Sequence, residues 1–204
     1  RYLLMNKKMQ TDEEISFLIS KKTATGMRIV GYNHHKTREK DDFYATPEKT
    51  TQSLLDVEVF SNNVWECCCG QGHISKVLKA NGHTVTSTDL VDRGYGTSRV
   101  DFLMETQRHD NIITNPPYKN ALAFATKAVD LAHKKVALLL KLNFLEGIER
   151  KTFFKKHPPT VVHVFSQRQS LMKNGEPYVG GMMALAWFVW DLQSSTTDTK
   201  VNWL

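Results

Sequence analysis

From about Asp41 onward, short apolar runs alternate with amphipathic stretches, and each change of period marks an element. Thr46-Pro47-Glu48 reads as a helix start, with threonine as cap and proline in the first turn, and the helix should run to about Asp56. Val64 to Cys68 is a strand candidate ending at Gly70, and His73 to Ala80 is a helix stopped by Asn81-Gly82. His83 to Thr88 reads as a second strand ending at Asp89, and Arg99 to Phe102 as a very short third. Asp110 to Thr114 is a fourth strand. Ala121 to His133 is a helix, with Leu122, Ala125, Ala128, Val129 and Ala132 on one side. Val136 to Lys141 follows as a fifth strand and Arg150 to His157 as a helix. Val161 to Phe165 and Met182 to Trp190 are the last strands, joined by a polar loop containing Asn174-Gly175.

Strands alternating with helices predict an α/β domain built on a mostly parallel sheet covered on both faces. The last two strands have no helix between them, which predicts an antiparallel hairpin at one edge. Before Asp41 the pattern weakens. One short helical candidate lies around Asp12–Lys21, and Gly26 to Lys40 is polar and irregular, so residues 1–40 read as an arm and 41–204 as the main domain.

Charge sharpens that division. The 204-residue chain carries a net charge of +6, and residues 1–40 hold nine Lys/Arg against four Asp/Glu. The other 164 residues hold 18 against 17. A basic arm with His34 and His35 suits phosphate contacts, although a solvated tail has the same composition. With 41% hydrophobic residues there is material for a core, yet no apolar run approaches the roughly 20 residues that span a bilayer. No signal peptide is visible. The three cysteines, Cys67, Cys68 and Cys69, are adjacent, which disfavours pairing with one another and suits a reducing, cytoplasmic setting. They read as small buried residues at a strand end, since zinc needs spaced ligands.

Three stretches carry chemistry. In Glu66-Cys67-Cys68-Cys69-Gly70-Gln71-Gly72 an acid near a strand end precedes a G-x-G that enters a helix, as in a nucleotide-type cofactor turn. Ser75 stands where a dinucleotide fingerprint needs a third glycine, so the nicotinamide reading loses support. Asp89, at the end of the next strand, is placed to accept hydrogen bonds from ribose hydroxyls. The third stretch, Asn115-Pro116-Pro117-Tyr118, follows Ile112-Ile113 at a strand's carboxyl end, where open α/β sheets bind ligands. An exocyclic amine on adenine is a poor nucleophile because its lone pair is delocalised into the ring. The Asn115 oxygen and the Pro116 carbonyl can each accept one of its N–H hydrogens and hold it in line with an electrophilic methyl. Asn115 is a neutral amide, an acceptor and not a base. Catalysis would rest on positioning, with prolines preorganising the acceptors. Tyr118 can stack on a flipped base, a contact worth about 1–3 kcal/mol in stacking platforms.

With these motifs in this order the stretch from Asp41 to Asp191 resembles the S-adenosylmethionine-dependent adenine-specific (N6 amino) DNA methyltransferases, particularly small phage or prophage examples. The resemblance implies the Rossmann-like class I methyltransferase fold and S-adenosylmethionine as cofactor, without a metal. It implies that Phe43, Tyr44, Thr46 and Pro47 line the methionine end of the cofactor site. It matches Glu66, Gly70 and Gly72 to the cofactor loop, Asp89 to the ribose, Asp101 and Phe102 to the cofactor's adenine, and Asn115 to both cofactor and target. It implies a phage-infected or bacterial cytoplasm as the setting. One departure is that residues 41–204 hold no stretch long enough for a large target-recognition domain. The basic arm, Leu142–Arg150 and the loop Gln167–Gly181, with Arg168, Lys173 and Tyr178, remain as candidate DNA contacts, so short or relaxed specificity, or a partner that supplies it, is expected. A protein partner or a homodimer stays open.

Other chemistries compete unequally. Carbon-5 cytosine methylation needs a cysteine nucleophile at its proline motif, and all three cysteines lie in the first strand. Amino methylation of cytosine usually opens its motif with Ser or Asp. Adenine methylation in RNA and methylation of a glutamine amide in protein use a similar tetrapeptide, and a non-catalytic nucleic-acid-binding subunit would keep the fold without turnover.

Overall fold

The computed structural model describes residues 44–173 and 176–204, with side chains at 170 and 172–182 outside that description. The basic arm with its helical candidate, Phe43, and the Asn174-Gly175 dipeptide lie outside the described residues. In chain order the elements are α1 (Glu48–Leu55), β1 (Asn63–Glu66), α2 (His73–Ala80), β2 (Thr84–Ser87), β3 (His109–Thr114), α3 (Ala121–Leu131) and β4 (Ala132–Lys141). Then follow α4 (Ile148–Lys156), β5 (Val161–Val164), β6 (Gln169–Lys173), β7 (Glu176–Met183), β8 (Leu185–Asp191) and β9 (Lys200–Trp203). Single 3-10 turns occupy Phe102–Met104, Tyr118–Asn120 and Leu142–Leu145.

Among the described residues one seven-stranded sheet forms in the order β2-β1-β3-β4-β8-β5-β9. The first four strands are parallel, β8 runs antiparallel to both β4 and β5, and β9 is parallel to β5. This is the mostly parallel, doubly wound sheet with an antiparallel C-terminal pair that the pattern predicts.

Alternation sorts the strand residues into two cores. Val136, Leu138 and Leu140 of β4 join Phe188 and Trp190 of β8 beneath Phe124, Ala125 and Ala128 of α3. Ala137 and Leu139 point the other way, with Trp187 and Val189, against Leu54 of α1 and Ile74 and Leu78 of α2. Because both faces are covered, β4 and β8 read as unbroken apolar runs, the signature of fully buried strands.

Several expectations change, and helix α3 ends at Leu131 because Ala132 and His133 already belong to β4. Thr46 does not cap α1: Pro47 holds the cap position without a side-chain hydrogen bond, and Thr46 is buried. Arg99–Phe102 is not a strand, because Arg99 takes a left-handed φ of 63° and Phe102 opens a 3-10 turn, so the Asn115 tetrapeptide follows the third strand. The segment expected as a polar loop instead pairs β6 with β7 in a separate two-stranded sheet. The antiparallel pair is not at the sheet's edge, because β8 inserts between β4 and β5 and the unanticipated β9 takes the edge. Four residues, Lys-Val-Asn-Trp, are too few to show a period. No helix among the described residues is long and apolar enough to cross a membrane.

Leu139 has no exposed surface and lies mid-strand between covered faces. Leu139→Ala is expected to lower unfolding stability by about 2–5 kcal/mol, read from denaturant titration, with no change in fold.

Candidate functional site

The chain leaves β1 for α2 on one face of the sheet and leaves β3 for α3 on the other. The neighbouring parallel strands β1 and β3 therefore part company at their carboxyl ends, and that switch point opens a crevice. A cavity of about 210 Å³ occupies it, walled by the ends of β1, β2 and β3 and by the residues around Tyr44–Thr46 and Val100–Leu103.

Most of the residues expected to hold a cofactor meet there. Tyr44, Thr46, Glu66, Asp89, Asp101, Phe102 and Asn115 all line the cavity. Asp89 accepts hydrogen bonds from Gly70 N at 2.8 Å and Val91 N at 2.8 Å, so its carboxylate also ties the glycine turn to the end of β2. Asp101 accepts from Leu103 N at 3.0 Å and stays exposed at the mouth. Phe102 is buried, stacked 5.1 Å from Phe124 and edge-on to Trp65 at 5.1 Å, giving that wall an apolar floor.

Gly70 and Gly72 both adopt left-handed φ values, 53° and 79°. At Gly72 the missing side chain makes room for a neighbour: an added Cβ would lie 2.5 Å from the Tyr95 ring. Tyr95 in turn receives Lys79 Nζ on its hydroxyl at 3.0 Å, so the turn is pinned from outside.

Glu66 is 1% exposed, and its Oε2 accepts from Ser75 N at 2.7 Å and from the Ser75 hydroxyl. It braces the first turn of α2 against the end of β1, a task more structural than its place in the motif suggests. Burial pushes its carboxyl up to about 8, against the pull of the Ser75 bonds. His73 is held below its usual value by burial and by Lys76. The cysteines are free, and all three line the cavity. A hydrogen bond with Cys67, together with burial, raises the Cys68 thiol well above its ordinary value, and burial pushes Cys69 up to about 12. Neutral thiols of this kind are poor nucleophiles and poor metal ligands. Among the described residues no three His, Cys, Asp or Glu side chains gather to hold a metal ion.

Asn115 is oriented from a distance. Its Nδ2 donates to the Tyr44 carbonyl at 3.2 Å and to Thr46 Oγ1 at 3.1 Å. A carbonyl can only accept, so the nitrogen must face Tyr44 and the amide cannot be turned over. Both N–H hydrogens are thereby used, and Oδ1 is the atom left to meet a ligand. Sequence reasoning found the Tyr44–Thr46 segment but missed this contact, since 69 to 71 residues separate the partners.

The other predicted residues spread out. Pro117 lines the cavity; Gly70, Gly72, Pro116, Pro47 and Tyr118 do not. The Tyr118 ring lies near-parallel to Tyr44, centroids 6.5 Å apart and 22° between planes, with Lys141 Nζ over it at 5.0 Å. Arg168 is exposed just before β6, and Lys173 is the last residue of that strand. The side chains of Lys173 and Tyr178 lie outside the description.

No family model and no curated protein matches the chain. Solved structures do. A candidate RNA methyltransferase from Pyrococcus horikoshii aligns with TM-score 0.58 at 14% identity, over 85% of this chain and 98% of that one. A candidate class I S-adenosylmethionine-dependent methyltransferase from Listeria monocytogenes aligns with TM-score 0.56 at 13% identity, over 94% and 73%. The modification subunit of a candidate type I restriction enzyme from Vibrio vulnificus gives TM-score 0.54 at 12% identity, over 94% of this chain and 51% of that one, about half its length. The fold is the Rossmann-like fold of the class I methyltransferases.

Glu66 yields a pH dependence. Its folded value of about 8 lies above its ordinary 4.5, so the folded state binds the extra proton. Its contribution to stability is complete below pH 4.5 and is lost as pH rises through about 8. Glu66→Gln keeps the acceptor oxygen for Ser75 without the charge. Thermal unfolding of the variant should therefore lose less stability than the unaltered chain between those pH values.

Proposed function

We propose that this chain transfers a methyl group from S-adenosylmethionine to the exocyclic N6 amino group of adenine in DNA, with short or relaxed sequence specificity. The observation that carries this reading is the commitment of both Asn115 N–H hydrogens to Tyr44 and Thr46, which leaves Oδ1 as the amide's remaining polar atom on a residue that lines the cavity. A neutral acceptor suits an amine that must be oriented and does not need to be deprotonated first.

The cavity suits the cofactor. Asp89 has a second lone pair on each oxygen for ribose hydroxyls, and the Asp89 and Asp101 carboxylates complement a cationic ligand. Phe102 and Leu103 offer apolar wall to a purine. When bound, S-adenosylmethionine would supply a methyl on a positively charged sulfur; transfer would break one C–S bond to leave neutral S-adenosylhomocysteine, form one C–N bond and pass one amino proton to solvent. Asn115 Oδ1, with the Pro116 carbonyl, accepts the amine's N–H hydrogens and aims its nitrogen lone pair. Pro116 and Pro117 stiffen the backbone behind those acceptors. Tyr118, beside Tyr44, offers a ring on which a flipped base can stack.

DNA is favoured by the ordered motifs and by the basic arm at residues 1–40, which we assign to phosphate contacts alongside Arg168 and Lys173, with residues 41–204 as the catalytic domain. The similarity to a restriction-modification subunit fits this substrate. Adenine in RNA is the second reading, favoured by the similarity to the candidate RNA methyltransferase.

Parallel tritium transfer from labelled cofactor to DNA, RNA and protein separates these substrates, and label is expected in DNA as N6-methyladenine. Asn115→Ala should lower turnover on the order of 10²- to 10³-fold while cofactor affinity, measured by calorimetry, is retained. Unchanged turnover would overturn the assignment. Thr46→Val removes one of the two bonds that orient Asn115, so kcat should fall by up to about 10²-fold in single-turnover assays at saturating cofactor.

A further inference from the structure

Ile148 is 88% exposed, the most exposed large apolar side chain among the described residues, and Leu145 beside it is 48% exposed. They flank Gly147, whose φ of 110° makes the sharp turn between the 3-10 turn and α4. The tip is braced. Arg150 folds back, its Nε donating to the Glu146 carbonyl and its guanidinium lying 5.5 Å over the Phe144 ring. Phe144 is buried edge-on against Phe188 of β8 at 5.5 Å. Two apolar side chains are thus held outward by a turn anchored in the core.

Position and charge narrow what they meet. The segment leaves β4 at Lys141, whose ammonium lies over the Tyr118 ring, and Leu145 follows four residues later. The tip therefore belongs to the end of the sheet that carries Asn115 and Tyr118. Lys151 and Lys155 border the shallow groove that Leu145, Ile148 and Phe154 form. From Lys141 to Lys156 there are five basic and two acidic residues. Apolar points with a cationic rim complement a stacked, phosphate-bearing polymer.

We propose that Leu145 and Ile148 form a wedge that enters the DNA duplex beside the extruded adenine, while Lys151 and Lys155 hold the flanking phosphates. Extrusion breaks stacking on both sides of the departing base, and an apolar side chain in the gap restores part of that contact. The inference rests on the DNA methyltransferase reading and adds how this small domain opens its substrate.

The test compares methyl transfer into native and heat-denatured genomic DNA lacking adenine methylation, with unfolding curves and S-adenosylhomocysteine titrations to verify folding. Ile148→Ser should lower transfer to duplex about 10-fold or more and leave transfer to denatured DNA within about 3-fold, because a single strand needs no unpairing. Val59→Ser, at an apolar position 86% exposed and before β1, serves as control and should change neither. Lys151→Ala combined with Lys155→Ala should reduce the salt slope of duplex binding by about two units. Three outcomes overturn the wedge: Ile148→Ser matching the unaltered chain on duplex, equal losses on both substrates, or dissociation of a dimer with equal losses, which would make the tip an interface between copies. If the unaltered chain labels neither DNA, the methyltransferase reading itself fails and the wedge with it.

Discussion

The Asn115 side chain donates both of its amide hydrogens across the molecule, to the Tyr44 carbonyl and to Thr46 Oγ1, and so joins the end of β3 to the segment that enters α1. That segment is itself held from behind. Trp187 of β8 donates to the Thr50 carbonyl at 2.9 Å, and the Thr50 hydroxyl donates to Gln169 at 3.2 Å. Helix α1 is thus tied to β8 on one side, while the segment that enters it holds the Asn115 amide. Displacing either set leaves a polar group without its partner, which costs more than the bond itself contributes. Cavity shape, the direction of Asn115 Oδ1 and the place of Tyr44 beside Tyr118 all follow from this one connection.

The two ends of the sheet divide the work. Near the start of β4, Glu58 accepts from Lys135 at 2.9 Å and pairs with the buried His163 at 2.9 Å, and Asn202 of β9 contacts the other ring nitrogen at 3.1 Å. Burial pushes the Glu58 carboxyl up, but the bonds from His163 and Lys135 more than offset it and leave it below its ordinary value. Here charges are matched and β9 is clasped to the sheet. At the opposite end the carboxylates of Asp89 and Asp101 are bound to backbone donors and still border a cavity.

In the Glu66–Gly72 turn the motif residues serve packing. Gly72 is open because Tyr95 occupies the space beside it, and Glu66 is buried because it braces Ser75. The adjacent cysteines fit the same pattern: compact side chains that let a strand end lie against a cavity wall.

The one-dimensional pattern by itself determined a great deal. Helix α2 spans the predicted His73–Ala80, and the parallel sheet, its helices and the position of the tetrapeptide at a strand end were legible because periodicity and glycine or proline punctuation act over a few residues. The candidate site was legible as a set of names, Glu66, Asp89, Asp101, Phe102 and Asn115, because local chemistry marks strand ends. What only the tertiary structure decided depends on partners far apart in the chain. Thr46 looked like a helix cap and is a buried acceptor for a side chain 69 residues away. β9 is too short to show a period and exists because β5 offers it an edge. Met182–Trp190 read as one strand, and Ala184 divides it between β7 and β8. Local pattern sets what each segment can become; long-range hydrogen bonding and burial choose which side of it faces the site, and no short window of sequence contains those partners.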